Sequence, residues 1–130
     1  MSISYEITVL PTHILVTGAG SYDLAEVERA LEKVFAAASS HQQSKILIDV
    51  RKVTGNLSLA QRYEFGETVA KLYSRRPAGS FCQIALVGNE SLLDVEHFGE
   101  TVAVNRGVPY KATMDMQEAL DWLKIQSTQQ

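Results

Sequence analysis

Along the first residues, apolar Ile3, Tyr5, Ile7 and Val9 alternate with Ser4, Glu6 and Thr8, the period-2 pattern of a strand with one buried face. Pro11 interrupts the run, and His13 to Thr17 reads as a second strand, paired with the first as a hairpin. Gly18-Ala19-Gly20 is expected to break that strand in a tight turn. Asp23 then stands as an N-cap, and Glu26 three residues on completes a capping box. Leu24, Val27, Ala30/Leu31 and Val34/Phe35 follow at helical spacing, which predicts an amphipathic helix over about 23–39. Lys45 to Val50 is a short apolar run of strand formers suited to a central, doubly buried strand. A loop through Thr54-Gly55-Asn56 leads to a helix over about 58–73. Phe81 to Val87 is a further buried strand with Cys82 inside it, and a third helix is expected over about 92–104, ended by Gly107. Val108 to Thr113 reads as a last short strand. A helix from about Asp115 carries Met116, Ala119/Leu120 and Leu123 on one face. The order ββαβαβαβα predicts a single α/β domain over 1–125, a mixed sheet of about five strands covered by four helices, with a frayed polar tail over 126–130.

Two segments echo each other. Residues 55–70 (GNLSLAQRYEFGETVA) and 88–103 (GNESLLDVEHFGETVA) agree at ten of sixteen positions, offset by 33. Each follows a strand and opens a helix. Ser58 and Ser91 take the N-cap place, with Gln61 closing a capping box on Ser58 and Asp94 favouring the positive end of its helix. Gly66 and Gly99 fall mid-helix, where glycine costs ~1 kcal/mol relative to alanine, and such positions suit close approach of the two helices. Two copies are too few for a solenoid.

Composition narrows the field. The chain has 130 residues, 45% hydrophobic and 21% charged, enough to bury a core without disulfide or metal. Fifteen acidic against twelve basic residues give a net charge of −3, unlike the basic stripe of a nucleic-acid binder. The longest unbroken apolar run, Val34 to Ala38, is far short of a membrane span. Neither a basic start nor an apolar leader is present, and one cysteine makes no internal disulfide, so a cytoplasmic location is expected.

The candidate chemistry is sparse. Gly18-Ala19-Gly20 before a helix lacks the third glycine of a dinucleotide fingerprint, and Asp23 in its place would repel pyrophosphate. His13, His41 and His97 fall on a strand, in a polar loop and on a charged helix, which is no triad pattern. Cys82, within an apolar run, reads as a small core residue. Glu64, Glu67, Glu96 and Glu100 read as solvated helix faces, and Arg51-Lys52 with Arg75-Arg76 as surface charge. No cofactor, no metal site and no catalytic residue are expected. The sharpest feature is Ser58, whose hydroxyl at a helix N-terminus sits where a phosphate would be electrostatically welcome.

Ile48-Asp49-Val50-Arg51-Lys52-Val53-Thr54-Gly55 followed by Ser58 and Arg62 to Glu67 resembles the SpoIIAA-like family, related to STAS and SEC14 domains. So do Ala85 to Glu90, Glu96 to Gly107 and Glu118 to Leu123, and the likeness spans nearly the whole chain. It implies the fold of an anti-sigma-factor antagonist and a non-enzymatic regulatory or protein-interaction module with an unidentified protein partner. In the antagonists the loop after the central strand carries an Asp-Ser-Ser-Gly type motif whose serine is phosphorylated. Ser58 falls on that serine, while Leu57, Leu59 and Ala60 replace the residues around it, so the switch motif is not intact. The SEC14 side of the resemblance implies an alternative: an apolar ligand such as a fatty acid held between helices two and three and the sheet, with transient membrane association. Asn56, Leu59, Tyr63, Gly66, Leu92 and Gly99 are the candidate interaction or ligand surface. A sheet edge or an apolar helix face would also allow a homodimer.

Overall fold

The structure is a computed structural model that describes residues 3–75, 82–90, 92 and 103–125. Its elements are β1 (Ile3–Val9), β2 (Ile14–Ser21), α1 (Leu24–Ser40), β3 (Lys45–Thr54), α2 (Leu59–Ser74), β4 (Gln83–Val87), β5 (Tyr110–Thr113) and α3 (Met116–Leu123). The third expected helix lies outside the described residues except for a helical turn at 103–105. The five strands lie side by side in chain order, β1 antiparallel to β2 and the rest parallel.

That order dictates the layers. Right-handed crossovers that step always to the next strand on the same side lay their helices on one face. Accordingly α1 and α2 share a face, where Leu31, Val34, Phe35, Val69, Leu72 and Tyr73 pack with Ile46, Ile48, Ile84 and Leu86. Phe35 and Tyr73 meet edge to face at 6.2 Å. Helix α3 follows the last strand with no crossover to make, and it covers the opposite face: Ala119, Leu120 and Leu123 pack on Leu47, Ala85 and Val87. The central strand is thus buried on both sides, Ile46, Leu47 and Ile48 all being inside.

Three expectations are corrected. Gly18-Ala19-Gly20 does not turn the chain; it continues β2 to Ser21, paired to β1 on one side and β3 on the other. Pairing on both edges overrides the weak strand preference of glycine, and the register slips between Thr17 and Ala19, the mark of a bulge. Gly20 takes a φ of 117°, which favours glycine. Second, the α1 capping box is half made. Asp23 accepts from the Glu26 amide at 3.1 Å, but the Glu26 carboxylate accepts instead from the Ile3 amide of β1 at 3.0 Å. Third, β4 starts at Gln83, so Cys82 precedes it, buried, with its thiol 4.0 Å from the Gln43 carbonyl.

Candidate functional site

The turn from β3 into α2 is built around Gly55. Its φ is +154°, and a Cβ there would stand 2.9 Å from Tyr22 Cβ and 3.3 Å from Leu57 Cδ1, so only glycine lets Tyr22, Leu57 and Leu92 close around it. The Tyr22 amide donates to the Thr54 carbonyl at 2.8 Å, and the Thr54 hydroxyl to the Gly20 carbonyl at 3.1 Å. From the other side Asn89 clamps the end of β3. Strand β4 pairs with β3 only as far as Asp49, and beyond it the Asn89 side-chain amide donates to the carbonyls of Arg51 and Val53 at 2.9 and 2.8 Å.

On this footing the sequence splits inside from outside residue by residue. Leu57 is buried, and Asn56, Ser58 and Leu59 are exposed; Leu59 is 61% exposed, the most of any large apolar residue among those described. Ser58 is the N-cap of α2. Its hydroxyl accepts from the Gln61 amide at 3.2 Å, and Gln61 Oε1 accepts from the Ser58 amide at 2.7 Å, the full capping box expected from the sequence. One turn on, Tyr63 is half-buried under Arg106, whose guanidinium lies 5.7 Å from the ring centroid and donates to the Tyr63 hydroxyl and to Glu67 at 3.2 and 3.0 Å. Gly66 is buried on α2. Gly99, Ser91 and Asp94 lie outside the described residues, as do His97, Glu96 and Glu100.

Behind the turn, between α1, α2 and the sheet, is a cavity of about 120 Å³. Tyr5, Val16, Gly18, Ile48 and Ala112 form its sheet side, Val27, Ala30 and Val34 its α1 side, and Phe65 and Val69 its α2 side. Leu57 and Leu92 line it at the turn. Small residues make the room, Gly18 and Ala112 on strands and Ala30 on α1. Among the described residues it is α1 that faces α2 across the cavity, because successive crossovers place these helices side by side; the expected pocket between helices two and three involves a helix that lies outside the described residues. Leu92 is a wall residue; Leu59 and Tyr63 are not.

Tyr22 reaches the same wall, as do the charged side chains of Glu26 and Arg62. The Tyr22 hydroxyl is enclosed and has no hydrogen-bond partner among the described residues. Burial, with Glu64 and Asp23 adding to it, pushes its pKa up to about 12, so it stays neutral at physiological pH. Sequence reading passed over Tyr22, although it stands just before the Asp23 cap with Val27 at the fourth helical position, the spacing of a hydrophobic staple.

Elsewhere an ion pair stands out. Arg51 holds Asp49 in a two-pronged ion pair at 2.9 and 2.8 Å, and this hydrogen bonding keeps the Asp49 carboxyl below the usual range despite partial burial. His13 is buried beside Thr12, whose hydroxyl is 2.8 Å from its Nδ1, and its pKa is lowered first by burial and then by Lys45. Among the described residues no group of three His, Cys, Asp or Glu side chains is placed to hold a metal ion, and no helix is long and apolar enough to cross a membrane.

No family model matches the chain, and no curated protein matches it. Solved structures do. An anti-sigma factor antagonist from Mycobacterium paratuberculosis superposes with a TM-score of 0.59 at 15% identity, covering 95% of each chain. An uncharacterised protein of the DUF3478 family with a SpoIIAA-like fold, from Shewanella loihica PV-4, does so with a TM-score of 0.53 at 21% identity, covering 93% of each. With strands in chain order, two crossover helices on one face and a closing helix on the other, the chain has the SpoIIAA-like, or STAS, fold.

Proposed function

We propose that this chain is a non-enzymatic regulatory module that works by protein–protein contact through the turn at 56–59, in the manner of the anti-sigma factor antagonist it is similar to. The observation that carries the reading is an exposed leucine beside an exposed capping serine, on a turn pinned from both sides by Gly55 and Asn89. A rigid apolar point with a modifiable hydroxyl next to it suits recognition by a partner. A phosphate on Ser58 would meet the positive end of α2 and add charge at the contact. The module acts in the cytoplasm in this reading.

The test is affinity capture of the tagged chain from its own cells, with partners quantified by mass spectrometry. A partner whose recovery falls at least tenfold with Leu59→Glu, and changes with Ser58→Asp, supports the proposal. A partner set that both variants leave unchanged overturns it.

A second reading, binding of a small apolar molecule, is favoured by one observation, the cavity under α1 and α2. The cavity's volume of about 120 Å³ is close to the ~150 Å³ space known to hold a single benzene.

A further inference from the structure

The cavity admits a narrower statement, which rests on that second reading. We propose that it is a binding site for a small uncharged ring molecule of hydrocarbon character, a single aromatic ring or one with a short alkyl substituent, and not for a lipid or any ligand with a charged head.

Three observations set the class. The first is size: about 120 Å³ takes roughly the contents of one aromatic ring, and most of a fatty-acid chain would stand outside it. The second is the chemistry of the walls. They are almost wholly apolar, and four rings, Tyr5, Tyr22, Phe65 and Tyr110, stand in them, with Phe65 and Tyr110 already 6.5 Å apart in a tilted arrangement. Ring walls of this kind favour a ring guest through edge and offset contacts. The third is electrostatic. At the polar end the Glu26 carboxylate is occupied by the Ile3 amide, and Glu64 and Asp23 both bear on Tyr22. Glu26 and Arg62 stand on the same wall, so an anionic head would meet a like charge at Glu26 and a cationic one a like charge at Arg62. An uncharged guest meets neither cost.

Leu57 gives the site a reporter. It is a cavity wall and directly precedes the Ser58 cap, so a guest in contact with it is felt in the amides of the exposed turn.

The experiment is a proton–nitrogen NMR titration of the whole protein with toluene, and in parallel with dodecanoate. Toluene is expected to bind saturably, shifting the amides of Val27, Ala30 and Leu57 and leaving those of Ala119 and Leu123 on the far face unmoved. Ala30→Phe fills the space and is expected to weaken toluene at least tenfold. Ala112→Leu does the same from the sheet side and serves should the first variant fold poorly. If dodecanoate binds in place of toluene, the cavity is a ligand site of another class, and this proposal falls while the second reading stands. If neither binds, both fall. Toluene binding that is indifferent to both substitutions also overturns the proposal.

Discussion

Ser58 and Gln61 close a pair of hydrogen bonds that satisfy two backbone donors at the first turn of α2. Replacing Ser58 with alanine removes one half of that exchange and should cost about 1 kcal/mol. Aspartate keeps an acceptor at the cap, so thermal melts are expected to place Ser58→Asp near wild type and Ser58→Ala a few degrees below it. The same scale shows what identical residues do in different surroundings. Asn56 and Asn89 occupy equivalent places in the echoed segments, as do Leu59 and Leu92. Asn56 is exposed, while Asn89 donates to two strand carbonyls and accepts from the Leu92 amide at 3.2 Å. Leu59 faces solvent and Leu92 the cavity. The capping chemistry of Ser58 is local and was legible in the sequence. Which leucine turns inward is decided by Gly55, Tyr22 and the sheet, and four letters of shared sequence carry no sign of it.

Elements inherit the same division. Helix α3 was readable from its stripe alone, because Ala119, Leu120 and Leu123 recur at helical spacing and Asp115 caps it. It covers its face of the sheet with a single short helix, so its anchors bear heavily on it. Leu123 is fully buried, and Leu123→Ala is expected to cost about 2–4 kcal/mol, seen as a lower urea midpoint with little change in slope. Strand β2 runs four residues beyond what its own pattern indicates, to Ser21. Its glycines carry a turn signal in isolation, and only the two flanking strands, distant in sequence, supply the hydrogen bonds that keep Gly18 to Gly20 extended. Glu26 is the counterpart on α1. Its spacing from Asp23 announces a capping box, yet the nearby Ile3 amide draws the carboxylate across to β1, a partner that no local pattern could name.

At the scale of the whole molecule, the mixed sheet and its parallel crossovers were legible, because alternation of strands and helices with one hand of crossover leaves few arrangements. The cavity was not, since Gly18, Ala30 and Ala112 lie on three separate elements and only the folded layers bring them together. Burial also couples global stability to pH. The folded-state pKa of His13 lies below its ordinary value of 6.5. Above about pH 6.5 neither folded nor unfolded chain holds that proton, and its contribution is fully present. As the pH falls through 6.5, the unfolded chain takes up a proton that the folded one resists, and stability drops until the folded-state pKa is reached. The unfolding free energy from urea melts should therefore fall as the pH drops below about 6.5, by at most ~1.4 kcal/mol per pH unit, and His13→Gln should flatten that slope. Asp49, also lowered, acts in a separate and more acid window, below its ordinary 3.8.

The Asn89 clamp has a consequence for how copies of this chain meet. Past Asp49 the β4 side of β3 would present a bare row of carbonyls, and such a row is a template on which a strand from another molecule can grow. One side-chain amide, donating to Arg51 and Val53 together, stoppers that row. Strand addition between molecules is thereby confined to the outer rims of the sheet, β1 and β5, and the middle of the sheet, next to the exposed turn at 56–59, is kept free of self-pairing.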